Sequence, residues 1–175
     1  MLAAVAALAL TAAMAAGADA RGVERVGCSI QSFGGFQQAD AEDLVAGPLA
    51  FVGAFGARDS TPGAVEYIGG FKSPALLRPG HVARVSIDRA SRSNVRLDYS
   101  FTHEPDDALR TFPHTVVFHA CPRRRAGSRA NGRRVTFWSG FYLVRDAPTC
   151  VHVTIRIDGG RARHRQIPVA QPSCP

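Results

Sequence analysis

Two alternating apolar–polar runs, each bounded by a cysteine, constrain this chain more than anything else in it. Thr115-Val-Val-Phe-His-Ala-Cys121 ends at one cysteine and Cys150-Val-His-Val-Thr-Ile-Arg-Ile157 starts at another. In the second run Val151, Val153, Ile155 and Ile157 alternate with Cys150, His152, Thr154 and Arg156, the period of two of a strand with one buried face. In the first, Val116, Phe118 and Ala120 form the inward set and Thr115, Val117, His119 and Cys121 the outward one. If the two strands are antiparallel neighbours, a Cys121–Cys150 bridge sets a register in which His119 faces His152 and Thr115 faces Arg156. That bridge leaves Cys28 and Cys174 to join the two ends of the chain. Four cysteines and no C-x-x-C pair favour two disulfides over a redox motif or a zinc ribbon.

The amino-terminal stretch has a different character. Leu2 to Ala16 is almost wholly Ala, Leu and Val, and Ala18-Asp19-Ala20 has the small-x-small form of a secretory cleavage site. The expected organisation is a signal peptide over 1–20 and a single β-sandwich domain over 21–175. The leader lacks the usual basic start, which suits a Met1 internal to a longer signal peptide. It is also too short for a membrane span, and no later stretch approaches that length. A secreted, extracellular protein is the expectation, with no membrane contact after cleavage.

The chain of 175 residues carries a formal charge of +7. Such a balance suggests an anionic partner. Lys72 is the only lysine, however, while Ala, Gly, Arg and Pro are abundant, a bias that a GC-rich genome writes into any protein.

Further strands follow the same period. Ala83, Val85 and Ile87 alternate with polar residues, as do Val95, Leu97, Tyr99 and Phe101. Leu44 to Phe55 is apolar, punctuated by Gly47-Pro48, with Leu49 and Phe51 as its inward residues. Cys28 ties a first strand to the core. Asp59 to Gly63 has the composition of a turn, and Val65 to Phe71 of a short strand broken at Gly69-Gly70. His103 to Phe112 is expected to be a surface loop. Asp158-Gly159-Gly160 marks a hairpin returning as an edge strand over Ala162 to Val169. No stretch has a convincing helical period. The predicted fold is therefore all-β: an Ig-like antiparallel β-sandwich of about eight or nine strands with two disulfides.

The sequences Thr115-Val-Val-Phe-His-Ala-Cys-Pro122, Gly140-Phe-Tyr-Leu-Val144 and Cys150-Val-His-Val153 together resemble a recurring type of secreted actinobacterial β-sandwich protein. In that type a strand ending Ala-Cys-Pro precedes a Gly-Phe strand and a second cysteine opening another strand. Gly47-Pro-Leu-Ala-Phe-Val-Gly53 and Leu77-Arg-Pro-Gly80 extend the resemblance over most of Gly47 to Val169. It implies a secreted β-sandwich and supplies no catalytic residue. This chain departs in its very basic loop after Pro122 and in carrying His119 and His152.

Candidate sites are few. Arg123, Arg124, Arg125, Arg129, Arg133 and Arg134 form a loop that suits phosphates, sulfated sugars or an anionic wall polymer. The alternative is a solvated hairpin tip. No aromatic lies between these arginines to stack a base, which argues against specific nucleic acid. Trp138 is a second candidate, as a glycan platform if Gly140 makes a bulge; core packing is its competing role. His119 and His152 fall short of a metal site without further ligands from His103, His114 or His164. No catalytic motif is present, and Asp106-Asp107 has turn composition; a hydrolase would need a Ser/His/Asp set assembled only in space. A non-enzymatic binding or structural protein without a cofactor is the expected function.

Overall fold

The computed structural model describes residues 22–36, 42–100 and 109–175. The leader, Asp106-Asp107, Phe101 and His103 lie outside the described residues. In chain order, β1 (Val23–Val26), β2 (Gly35–Phe36), β3 (Leu44–Ala46) and β4 (Leu49–Phe51) precede one helix, α1 (Pro62–Ile68). Then come β5 (Gly70–Lys72), β6 (Ala75–Leu77), β7 (Val82–Ile87), β8 (Val95–Asp98) and β9 (Thr115–His119). The carboxyl-terminal part adds β10 (Ser128–Ala130), β11 (Arg133–Trp138), β12 (Phe141–Val144), β13 (Thr149–Ile157) and β14 (Arg163–Val169). The protein is all-β with two disulfides. Its strands are shorter and more numerous than expected because glycines split the longer apolar runs.

The strands form a five-stranded sheet ordered β1-β9-β7-β13-β14, a six-stranded sheet ordered β2-β10-β11-β6-β4-β3, and a three-stranded sheet ordered β5-β12-β8. Aromatic rings join the three. Phe118 of the first sheet meets Phe51 and Trp138 of the second at centroid distances of 6.1 and 5.3 Å. Tyr142 of the third sheet meets Phe51 at 5.7 Å and stacks on Phe71 at 5.1 Å. Edge-to-face and stacked pairs of this kind add to the stabilisation from burial alone. Leu49 and Phe51 are fully buried, as are Ala83, Val85, Ile87, Val151, Val153 and Ile155, matching the alternation read from the sequence. β14 is the edge strand that the Asp158-Gly159-Gly160 turn implied.

The predicted disulfide pairing is overturned. The bridges are Cys28–Cys121 and Cys150–Cys174. β9 and β13 are not neighbours, because β7 lies between them and pairs antiparallel with both. β1 instead runs parallel to β9, with Val26 opposite Phe118. Parallel strands leave a sheet at the same end, so Cys28 and Cys121 emerge side by side. Cys150 belongs to the β13–β14 pair, where it lies opposite Pro168, and the chain beyond β14 brings Cys174 back to it. The His119–His152 register falls with the bridge. His119 lies opposite Val82 at one end of β7, whereas Val153 lies opposite Ile87 at the other. His152 comes one position further on, level with Asp88, so at roughly 3.3 Å per residue six positions along the strand separate the two histidines by about 20 Å.

The stretch expected as a turn and short strand contains α1 instead. Thr61 caps it by accepting the Ala64 N–H at 3.2 Å, Pro62 occupies its first turn, and Gly69 closes it with φ near 77°. These are ordinary helix start and stop signals, carried on a segment too short to show a period. His103 to Phe112 is likewise not all surface, since Leu109 and Phe112 are buried.

Candidate anion-binding surface

The arginine-rich segment is more ordered than a loop. After Cys121 the chain turns, with the N–H groups of Arg125 and Ala126 both donating to the Pro122 carbonyl at 2.7 and 3.1 Å. It then enters a hairpin in which β10 and β11 pair as Ser128–Val135, Arg129–Arg134 and Ala130–Arg133. The two-residue connection is Asn131-Gly132, with φ of 50° and 72°. Left-handed geometry at both positions is what a tight hairpin requires, and Asn-Gly is its strongest sequence signal.

Ser128 and Val135 turn inward, placing Arg129 and Arg134 directly opposite each other on the outer face. Like charges in that position repel. Each guanidinium reaches a backbone carbonyl: Arg129 donates to Gly132 at 3.1 Å and Arg134 to Ala126 at 3.0 Å. All six arginines are exposed, and none forms an ion pair with an acidic side chain among the described residues.

A second segment supports the first. The Gln31 amide donates to the Arg125 carbonyl at 3.0 Å and accepts the Gly127 N–H at 3.3 Å. The Ser128 hydroxyl accepts from the Gly34 N–H and donates to the Ser32 carbonyl. β2 lies parallel to β10, with Gly35 opposite Arg129. The Cys28–Cys121 bridge stands just before both segments and pins them together. The aromatic ring of Phe33, 74% exposed, lies so close to Gly127 that a Cβ there would come within 2.3 Å of it. Some ninety residues separate Phe33 from the arginines in sequence, so no local pattern announces their meeting.

The other predicted sites resolve differently. Trp138 is fully buried, donates its indole N–H to the Gly27 carbonyl at 3.0 Å and packs on Phe118, so it offers no face to a glycan. Tyr142 is equally buried. Gly140 does not turn Trp138 outward. It marks the point where the chain leaves β11 in one sheet for β12 in another, over the Tyr99 ring. No group of three potential metal ligands occurs among the described residues. His114 bonds the Arg92 carbonyl, and burial holds its pKa below the usual histidine range.

One spatial cluster does unite a hydroxyl, a histidine and a carboxylate. Thr154 Oγ1 donates to Asp88 at 2.5 Å and lies 3.0 Å from His164 Nδ1, which is 3.5 Å from the same carboxylate. The hydroxyl proton already goes to the carboxylate, and one ring nitrogen meets both partners. A hydrolytic triad places its histidine between the two, using both nitrogens. This arrangement ties β13 and β14 to the end of β7. A cleft of about 390 Å³ also opens beside α1, where Glu66, Arg145 and Asp146 join apolar walls from Leu109 and Phe112.

Comparison of the chain with protein-family models, with curated proteins and with solved structures returns no match.

Proposed function

We propose that the chain is a secreted, non-enzymatic, Ig-like β-sandwich module that acts at or outside the cell envelope by holding a polyanion on the β10–β11 hairpin and the turn before it. One observation carries this reading: six exposed guanidinium groups share a short stretch, and none is neutralised by an acid among the described residues. Guanidinium groups suit phosphate, sulfate and carboxylate because their planar forks bond two oxygens at once. Export is supported by the leader-like start and by two disulfides, which persist in oxidising compartments. No helix among the described residues is long and apolar enough to cross a membrane. The resemblance to secreted actinobacterial proteins points the same way.

Replacing Arg123, Arg124 and Arg125 with Ala is expected to weaken retention on heparin or teichoic acid well beyond a control lacking Arg89, Arg110 and Arg165, which are exposed elsewhere. Equal losses would assign the effect to net charge and remove the hairpin from the reading. Export has its own measurement: the amino terminus of the secreted protein should be Arg21, and a mature chain retaining Leu2 to Ala16 refutes it.

A further inference from the structure

We infer that the arginine surface takes single-stranded nucleic acid without sequence preference, stacking a base on Phe33 while the neighbouring arginines hold phosphates. The inference rests on the polyanion reading above and names its ligand. Single-strand binders combine a cationic track with exposed aromatic rings, since every base has a π-face. The sequence shows only the cationic half. The fold adds the ring, placing Phe33 against Gly127, two positions from both Arg125 and Arg129. With no Cβ at Gly127, the ring sits close on the backbone, and it remains 74% exposed. An aromatic so exposed and yet held in place is a preformed platform.

Hydrogen-bond chemistry separates this ligand from a sugar polymer. Arginine side chains only donate. The Gln31 amide is engaged by the Arg125 carbonyl and the Gly127 N–H, and the Ser128 hydroxyl by Gly34 and Ser32. The Ser32 hydroxyl in turn accepts the Ser139 N–H. Sugar hydroxyls need acceptors as well as donors, and the side-chain oxygens of Gln31, Ser32 and Ser128 are each already taken up by an N–H, from Gly127, Ser139 and Gly34. Phosphodiester oxygens only accept, and a base asks for a ring face. The surface supplies those two things.

The test is a fluorescence anisotropy titration of the full chain with a labelled short oligothymidylate, set beside inorganic polyphosphate and heparin of matched charge as competitors. Phe33→Ala should weaken oligothymidylate binding about tenfold and leave polyphosphate binding unchanged. Phe33→Trp, which keeps a ring, should retain the affinity. Arg123→Ala, Arg124→Ala and Arg125→Ala combined should lower binding of both probes. An oligothymidylate affinity indifferent to Phe33→Ala, or a preference for heparin over the oligonucleotide, overturns the inference and leaves the polyanion reading standing. Failure of all three probes to bind in a salt-dependent way overturns both.

Discussion

Two single residues show how tightly the centre of the molecule is drawn. At Gly140 the chain crosses from β11 to β12 over the Tyr99 ring, and a Cβ would lie 2.2 Å from that ring's Cδ1. Tyr99 cannot yield freely, because it is fully buried and its hydroxyl donates to the Ser73 carbonyl at 2.6 Å. Gly140→Ala should therefore cost about 1–3 kcal/mol by overpacking, read as a lower denaturation midpoint with an unchanged slope. Tyr142 makes the opposite case. Its hydroxyl is buried without a hydrogen-bond partner among the described residues, and burial pushes its pKa far above the usual phenol range. Removing a buried, unbonded polar atom relieves a desolvation cost. Tyr142→Phe should leave the urea midpoint equal or raise it, and a clear fall would mean that the hydroxyl is bonded after all.

Among the elements, the β1–β9 pair decides how the arginine surface is held. Peptide mapping of the unreduced protein should recover Cys28 linked to Cys121 and Cys150 linked to Cys174. Replacing Cys28 and Cys121 by Ser releases a loop of 93 residues, with a nominal loss near 4.7 kcal/mol in the chain-entropy model. Because that bridge pins both segments of the surface, amide exchange should rise first in β10 and β11, and less in β13 and β14. At the Val82 end of β7, Asp158 accepts the Val82 N–H at 2.8 Å and the His81 ring N–H at 2.7 Å. The Val82 N–H, and after it the His81 hydrogen bond, hold the Asp158 carboxyl below the usual carboxylate range. A depressed carboxylate pKa favours the folded state above its ordinary value, about 4, and that contribution is lost as pH falls through the folded-state pKa. Asp158→Asn should accordingly unfold more readily than the parent near pH 6, with the gap closing in strong acid. A gap that persists there would assign the effect to hydrogen bonding alone.

For the molecule as a whole, the consequential fact is that three sheets share one aromatic centre while the unneutralised arginines of β10, β11 and the turn before them face outward. Polyanion binding driven by those charges should weaken steeply with salt. For a single-stranded nucleic acid, removing three phosphate contacts should flatten the log–log salt slope by about 2, and an unchanged slope would place the contacts elsewhere. Much of the fold could be read before any coordinates. Alternation settled that the chain is all-β and which residues of Ala83–Ile87 and Val151–Ile157 turn inward, because a strand's side chains must alternate between core and water. Gly47-Pro48 and Asp158-Gly159-Gly160 likewise marked real turns, since few residues tolerate their backbone angles. Alternation says which face a residue takes but not which strand lies beside it. The insertion of β7 between β9 and β13, and the parallel docking of β1 on β9, were therefore decided only by tertiary packing. With them went the disulfide pairing, the separation of His119 from His152 and the burial of Trp138. The meeting of Phe33 with Gly127 belongs to the same class, because a contact across some ninety residues leaves no periodic trace in either segment.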